Sequence, residues 1–237
     1  MLEIQDLDVF YGGTQVLYEI SLSVKKGEIV SILGRNGAGK STLMKSIVGF
    51  VPPTRGSIKL EGKDIVKWPL EKRTKGVGYT PDSKRLFGTL TALENLQVSA
   101  LGSENTATTL GNVENILNYF TPLKGLLNRR AATLSGGEQQ MLALTRSLVR
   151  NAGLFLLDEP SAGLAPAIRE ELARAITELR EKDGSSFLIV EQEIKIPLSI
   201  SDKIYGLLNG KIAFEGTPQE AIEAHVIEDI LMISKTL

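Results

Sequence analysis

Apolar and polar residues alternate through the first two dozen positions. Leu2, Ile4, Leu7 and Val9 mark one run, and Val16, Leu17, Ile20, Leu22 and Val24 mark a second, with Gly12-Gly13 between them and Lys25-Lys26-Gly27 after. A period near two, broken by glycine turns, predicts an antiparallel sheet of short strands. The pattern then changes to an apolar strand over residues 28–33, a glycine-rich turn and a helix from about Gly39 to Val48. Pro52-Pro53 closes that unit, and Ile58 to Leu60 begins another strand.

From about Ser83 to Arg150 the spacing is helical. Thr91-Ala92-Leu93-Glu94 fits a capping box that starts one helix, and the weakly patterned stretch Gly102 to Gly111 is expected to be a mobile loop. After Arg150, strands are predicted at 154–158, 187–191 and 203–208, with a helix from about Ala167 to Lys182 that stops at Asp183-Gly184. Strands alternating with helices predict an α/β fold: a mostly parallel sheet covered on both faces, with an N-terminal antiparallel β subdomain. The expected organisation is one domain over 1–237. Residues 1–82 and 151–237 form its α/β core, and residues 83–150 form an inserted helical subdomain. The stretch Ala221 to Leu237 reads as an amphipathic helix with no role beyond packing.

A length of 237 residues suits one large domain with a substantial core. Cysteine is absent, so disulfides and thiolate metal sites are excluded. With 27 basic and 28 acidic residues the formal charge is −1, and no nucleic-acid partner is expected. The first residues, Met1-Leu2-Glu3-Ile4-Gln5-Asp6, lack the apolar run of a signal peptide, and the longest greasy segments are strand-sized. A soluble chain is expected, any membrane role coming through a partner.

Three motifs carry chemistry. Gly34-Arg35-Asn36-Gly37-Ala38-Gly39-Lys40-Ser41 fits G-x-x-x-x-G-K-[ST] between an apolar strand and a helix, which defines a P-loop nucleotide triphosphatase. Its backbone N–H groups would cradle phosphate, Lys40 would reach the β- and γ-phosphates, and Ser41 would join a Mg²⁺ shell. Leu154-Phe155-Leu156-Leu157-Asp158-Glu159 ends a buried strand on two acids, at the sheet edge where ligands sit. Asp158 would hold Mg²⁺ and Glu159 would orient or deprotonate the attacking water. Leu134-Ser135-Gly136-Gly137-Glu138-Gln139 opens a helix with bare N–H groups in its first turn, a second anion site.

Ser135-Gly136-Gly137-Glu138-Gln139, following a helical segment and about twenty residues ahead of Asp158-Glu159, resembles the signature motif of ABC transporter ATPases. The resemblance covers essentially the whole chain and implies a RecA-like core. It implies ATP and Mg²⁺ as cofactors, with ATP held by Tyr11, which stacks on adenine, and by residues 34–42, Thr42 included. Ser135, Gly136 and Gly137 face the nucleotide of a homologous second ATPase subunit, identical or different. Asp82 stands where a Gln usually links Mg²⁺ to the membrane subunit, Gln192 stands where a His usually contacts the γ-phosphate, and Ala165 replaces a usual acid. His225 is the only histidine and is too far along the chain to fill that role. Metal ligands are therefore expected at Ser41, Asp82 and Asp158, and catalytic groups at Glu159 and Gln192. These departures, with Ser161-Ala162-Gly163-Leu164-Ala165-Pro166 and Gly137-Glu138-Gln139-Gln140-Met141-Leu142-Ala143, resemble the branched-chain amino-acid importers. That implies two transmembrane permease subunits, an extracytoplasmic solute-binding protein acting indirectly, and a place at the cytoplasmic face of the membrane. A urea or amide importer is the alternative, and a soluble non-transport ABC ATPase a more distant one.

Overall fold

The computed structural model describes residues 1–101, 106–150, 152–224 and 230. In chain order the strands are β1 (Leu2–Tyr11), β2 (Thr14–Val24), β3 (Ile29–Leu33), β4 (Arg55–Leu60), β5 (Lys63–Asp64), β6 (Val77–Thr80), β7 (Leu154–Asp158), β8 (Ser186–Glu191), β9 (Lys203–Leu208) and β10 (Lys211–Gly216). The helices are α1 (Lys40–Val48), α2 (Leu70–Thr74), α3 (Ala92–Leu101), α4 (Thr106–Leu117), α5 (Thr121–Lys124), α6 (Gly136–Leu148), α7 (Pro166–Asp183), α8 (Lys195–Ile200) and α9 (Pro218–Glu223).

Two sheets form. β2-β1-β4-β5 is antiparallel, and β10-β9-β3-β8-β7-β6 is parallel except for β10. The parallel strands are buried on both sides, so their near-continuous apolar runs divide by period two. Leu154, Leu156, Leu188 and Val190 face the antiparallel sheet and α1 in one cluster, with Leu7, Val9, Leu43 and Ile47. Phe155, Leu157, Phe187 and Ile189 face the other way, toward α6, α7 and the helical segment. The Phe155 and Phe187 rings stack across neighbouring strands at 5.1 Å. Because β3 sits between β8 and β9, the turn after it opens beside the carboxyl end of β8.

The loop expected over Gly102 to Gly111 is corrected in part: residues 106–111 are the first turns of α4, and 102–105 lie outside the described residues. Thr106-Ala107-Thr108-Thr109-Leu110-Gly111 is a poor helix former by propensity. The helix is held instead by burial of Val113, Ile116 and Leu117, which fall on one face further along it. The terminal helix begins earlier than expected, at Pro218, where Thr217 and Glu220 form a capping box. His225 and most of 221–237 lie outside the described residues.

A candidate nucleotide site

The loop between β3 and α1 owes its shape to two glycines. A Cβ on Gly34 would stand 2.7 Å from the Leu207 carbonyl oxygen, and Gly39 has φ +110° with its Cβ position 2.6 Å from Leu17 Cδ2. Neither site has room for a side chain, and Gly39 has a backbone that L residues avoid. The loop closes over a cleft of about 210 Å³, lined by Arg35, Asn36, Gly37, Gly39, Lys40, Ser41 and Thr42 with Val16 and Glu159. Lys40 is 4% exposed and folds back over the loop. Its Nζ donates to the carbonyls of Gly34 (2.8 Å) and Arg35 (3.1 Å) and lies 3.2 Å from Glu159 Oε1. A buried ammonium this close to open space, held only by carbonyls and one carboxylate, is poised to exchange those partners for a stronger anion.

The two acids at the end of β7 have different environments. Asp158 is fully buried; its Oδ1 accepts from the Ser41 hydroxyl at 3.1 Å, and its Oδ2 has no hydrogen-bond partner. Burial pushes its carboxyl up to about 6, with the charges of Asp82 and Glu159 adding to the shift and the Ser41 bond opposing it. An orphaned carboxylate oxygen beside a hydroxyl is a hard-oxygen donor set, and it fits a Mg²⁺ ion. Asp82 is exposed two residues beyond β6, the strand that pairs with β7. Glu159 faces the cleft, where its Oε1 also accepts from Gln192 Nε2 at 3.0 Å. Gln192 reaches Asn36 of the loop as well.

The residues from the loop, β7 and the end of β8 thus converge on one cleft. Two expected site groups lie apart from it. Tyr11 is half exposed at the end of β1, outside the cleft lining, where Val16 of β2 stands instead. Ser135 and Gly136 are exposed and Gly137 half-buried at the start of α6. There the Ser135 side chain accepts from Glu138 N (3.3 Å) and Glu138 Oε2 from Ser135 N (2.7 Å), closing the capping box. Three further residues, given no role in the sequence reading, meet these groups. Lys84 donates to the Gly136 carbonyl at 2.7 Å. Gln140 and Glu191 are buried against the turn that follows Glu159. Glu191 had a legible signal, an acid ending an apolar strand just as Asp158 does; Gln140 stood in the run after Ser135 with no role read for it, and Lys84 had no signal.

This fold and loop define a P-loop nucleotide triphosphatase. A family model described as ABC transporter matches residues 17–162. The chain is 37% identical to a probable branched-chain amino acid transport ATP-binding protein of Archaeoglobus fulgidus, over 98% of each chain. It is 39% identical to a high-affinity branched-chain amino acid transport ATP-binding protein of Pseudomonas aeruginosa, over 92% of this chain and 93% of that one. Among solved structures it is similar to a dimeric bacterial ABC transporter cassette, with TM-score 0.84, 26% identity, and 92% of this chain and 99% of that chain covered. The chain belongs to the ABC transporter family and is an ATPase of that family. No helix among the described residues is long and apolar enough to cross a membrane.

Proposed function

We propose that this ATPase powers an importer of branched-chain amino acids, working as a dimer with a homologous cassette beneath two permease subunits. The observation that carries the catalytic part is the meeting of three groups at one oxygen: Glu159 Oε1 lies 3.2 Å from Lys40 Nζ and 3.0 Å from Gln192 Nε2. In this reading the triphosphate enters the loop and draws Lys40 away from the Gly34 and Arg35 carbonyls. Glu159, freed from that ion pair, orients the attacking water and takes its proton, while Gln192 donates an amide hydrogen bond to the γ-phosphate or to that water. Ser41, Asp82 and Asp158 would hold Mg²⁺, which when bound neutralises charge on the transferring phosphoryl group. Tyr11 contributes an aromatic face for adenine, and Ser135, Gly136 and Gly137 serve the nucleotide on the other cassette.

The permease would dock on the face carrying Phe50 and Phe87, which are 46% and 49% exposed. Each ring has a guanidinium over it, Arg85 over Phe50 and Arg146 over Phe87. Apolar rings rimmed by cations suit a short helix with apolar and acidic positions. With an α/β core and a helical subdomain over 83–150, closure would move this face. The solute assignment rests on the relatives, and an extracytoplasmic binding protein would act with the complex. Uptake of labelled leucine, isoleucine and valine by cells lacking the chain tests it. Lost uptake restored by the wild type but not by Glu159→Gln is expected; unchanged uptake of all three would remove the solute assignment.

A further inference from the structure

Glu159 has a left-handed backbone, φ 51°. That conformation costs an L residue free energy and persists where the surroundings over-determine it. Two buried side chains from different elements meet this turn. Gln140, 1% exposed on α6, donates from Nε2 to the carbonyls of Glu159 (3.4 Å) and Pro160 (3.3 Å). Glu191, 2% exposed at the end of β8, accepts the Ser161 N–H at Oε1 (2.9 Å). The Glu159 N–H donates to the Val190 carbonyl at 2.9 Å, so β8 holds the turn on both sides of Pro160.

Burial pushes the Glu191 carboxyl above the ordinary glutamate range, and hydrogen bonding from Ser161 opposes that shift. Glu191 therefore ties the turn after Glu159 to the end of β8, next in the chain to Gln192, whose side chain meets the Glu159 carboxylate. The link to the phosphate loop is different in kind. There Gly34 N–H donates to the backbone carbonyl of Glu191 (3.4 Å), a contact that a change of side chain leaves in place.

The geometry points to Glu191 and Gln140 as positioning residues for ATP hydrolysis: they hold the left-handed turn from two different elements and fix the Glu159 carboxylate between Lys40 and Gln192. This rests on the hydrolytic role proposed for Glu159. Displacing a reacting group by an ångström costs about 100-fold in rate, whereas the loop that binds phosphate is untouched. The test is steady-state hydrolysis and equilibrium Mg-ATP binding by the full-length chain carrying Glu191→Leu, Glu191→Gln or Gln140→Met. Expected are kcat losses of about 100-fold for Glu191→Leu and for Gln140→Met, with ATP affinity within about twofold. Glu191→Gln keeps an acceptor for Ser161 and should restore kcat to within about fivefold of the wild type. Gln140→Met reads out independently should Glu191→Leu fail to fold. The inference is overturned by wild-type kcat in the folded clamp variants, by parallel loss of affinity and kcat, or by a Glu191→Gln chain as slow as Glu191→Leu. Glu159→Gln run beside them separates the two ideas: a fast Glu159→Gln enzyme sinks the role of Glu159, and a dead one with fast clamp variants sinks only the clamp.

Discussion

Two helices of this protein begin at glycine-rich turns suited to phosphate, and they begin in opposite ways. α1 has Gly39 as its N-cap, no side-chain cap and no acid in its first turn, and it brings its own cation in Lys40. α6 has Ser135 as its N-cap, a closed capping box and Glu138 in its first turn. The bond from Ser135 N–H holds the Glu138 carboxyl below its usual range. The first helix end is left open for an anion by its own chain. The second ties the Glu138 and Ser135 N–H groups into its own cap and carries an acid where the first carries a cation, so an anion there meets less positive charge from its own chain. On the function proposed above, the first helix end would serve this chain's nucleotide and the second the nucleotide of a partner cassette.

The sharpest way to break that contrast is at the complete half. Glu159→Gln should lower kcat by about 10²–10⁴-fold while ATP still binds, as expected for loss of a general base; single-turnover hydrolysis with a binding control checks it. Next in size is a pH effect at Asp158. A carboxyl whose folded value is raised from 3.8 to about 6 leaves the folded chain holding more protons than the unfolded one. Its contribution to stability is therefore intact below pH 3.8 and declines as pH rises through about 6. Asp158→Asn should accordingly stabilise the nucleotide-free, Mg²⁺-free protein by about 2–3 kcal/mol at pH 7.5, with the gain fading toward pH 4 in denaturant titrations. Gln192→Ala should lower kcat about tenfold with little change in ATP affinity, as for one lost hydrogen bond to a charged group. Equal kcat would remove Gln192 from the chemistry. Smallest is the cap: Ser135→Ala should cost about 1 kcal/mol in chemical denaturation, and the same variant should slow turnover only where two chains share the nucleotide.

The contrast also explains what could be read from the chain alone. The phosphate loop, the paired acids and the Ser135 cap are local: each sets its geometry within eight residues, and glycine, lysine and acid at fixed offsets leave few alternatives. The two faces of the parallel sheet were equally legible, since Phe155 and Leu156 must point apart whatever covers them. The clamp on Glu159 was not, because it joins residues 140, 159, 161 and 191, which only the β7–β8 pairing and the packing of α6 bring together. The first turns of α4 failed for a related reason. Their own residues favour a loop, and burial of Val113, Ile116 and Leu117 elsewhere on the helix overrides them. The short elements β5, α2, α5 and α8 are too brief to show a period.

Light scattering of Glu159→Gln with saturating Mg-ATP, alone and mixed with its homologous cassette, reads out the proposed dimer. A doubling of mass in at least one of the two samples, reversed by removing Mg²⁺ or by Ser135→Arg, is the predicted result. A chain that stays monomeric in both would rule out a nucleotide shared between two cassettes.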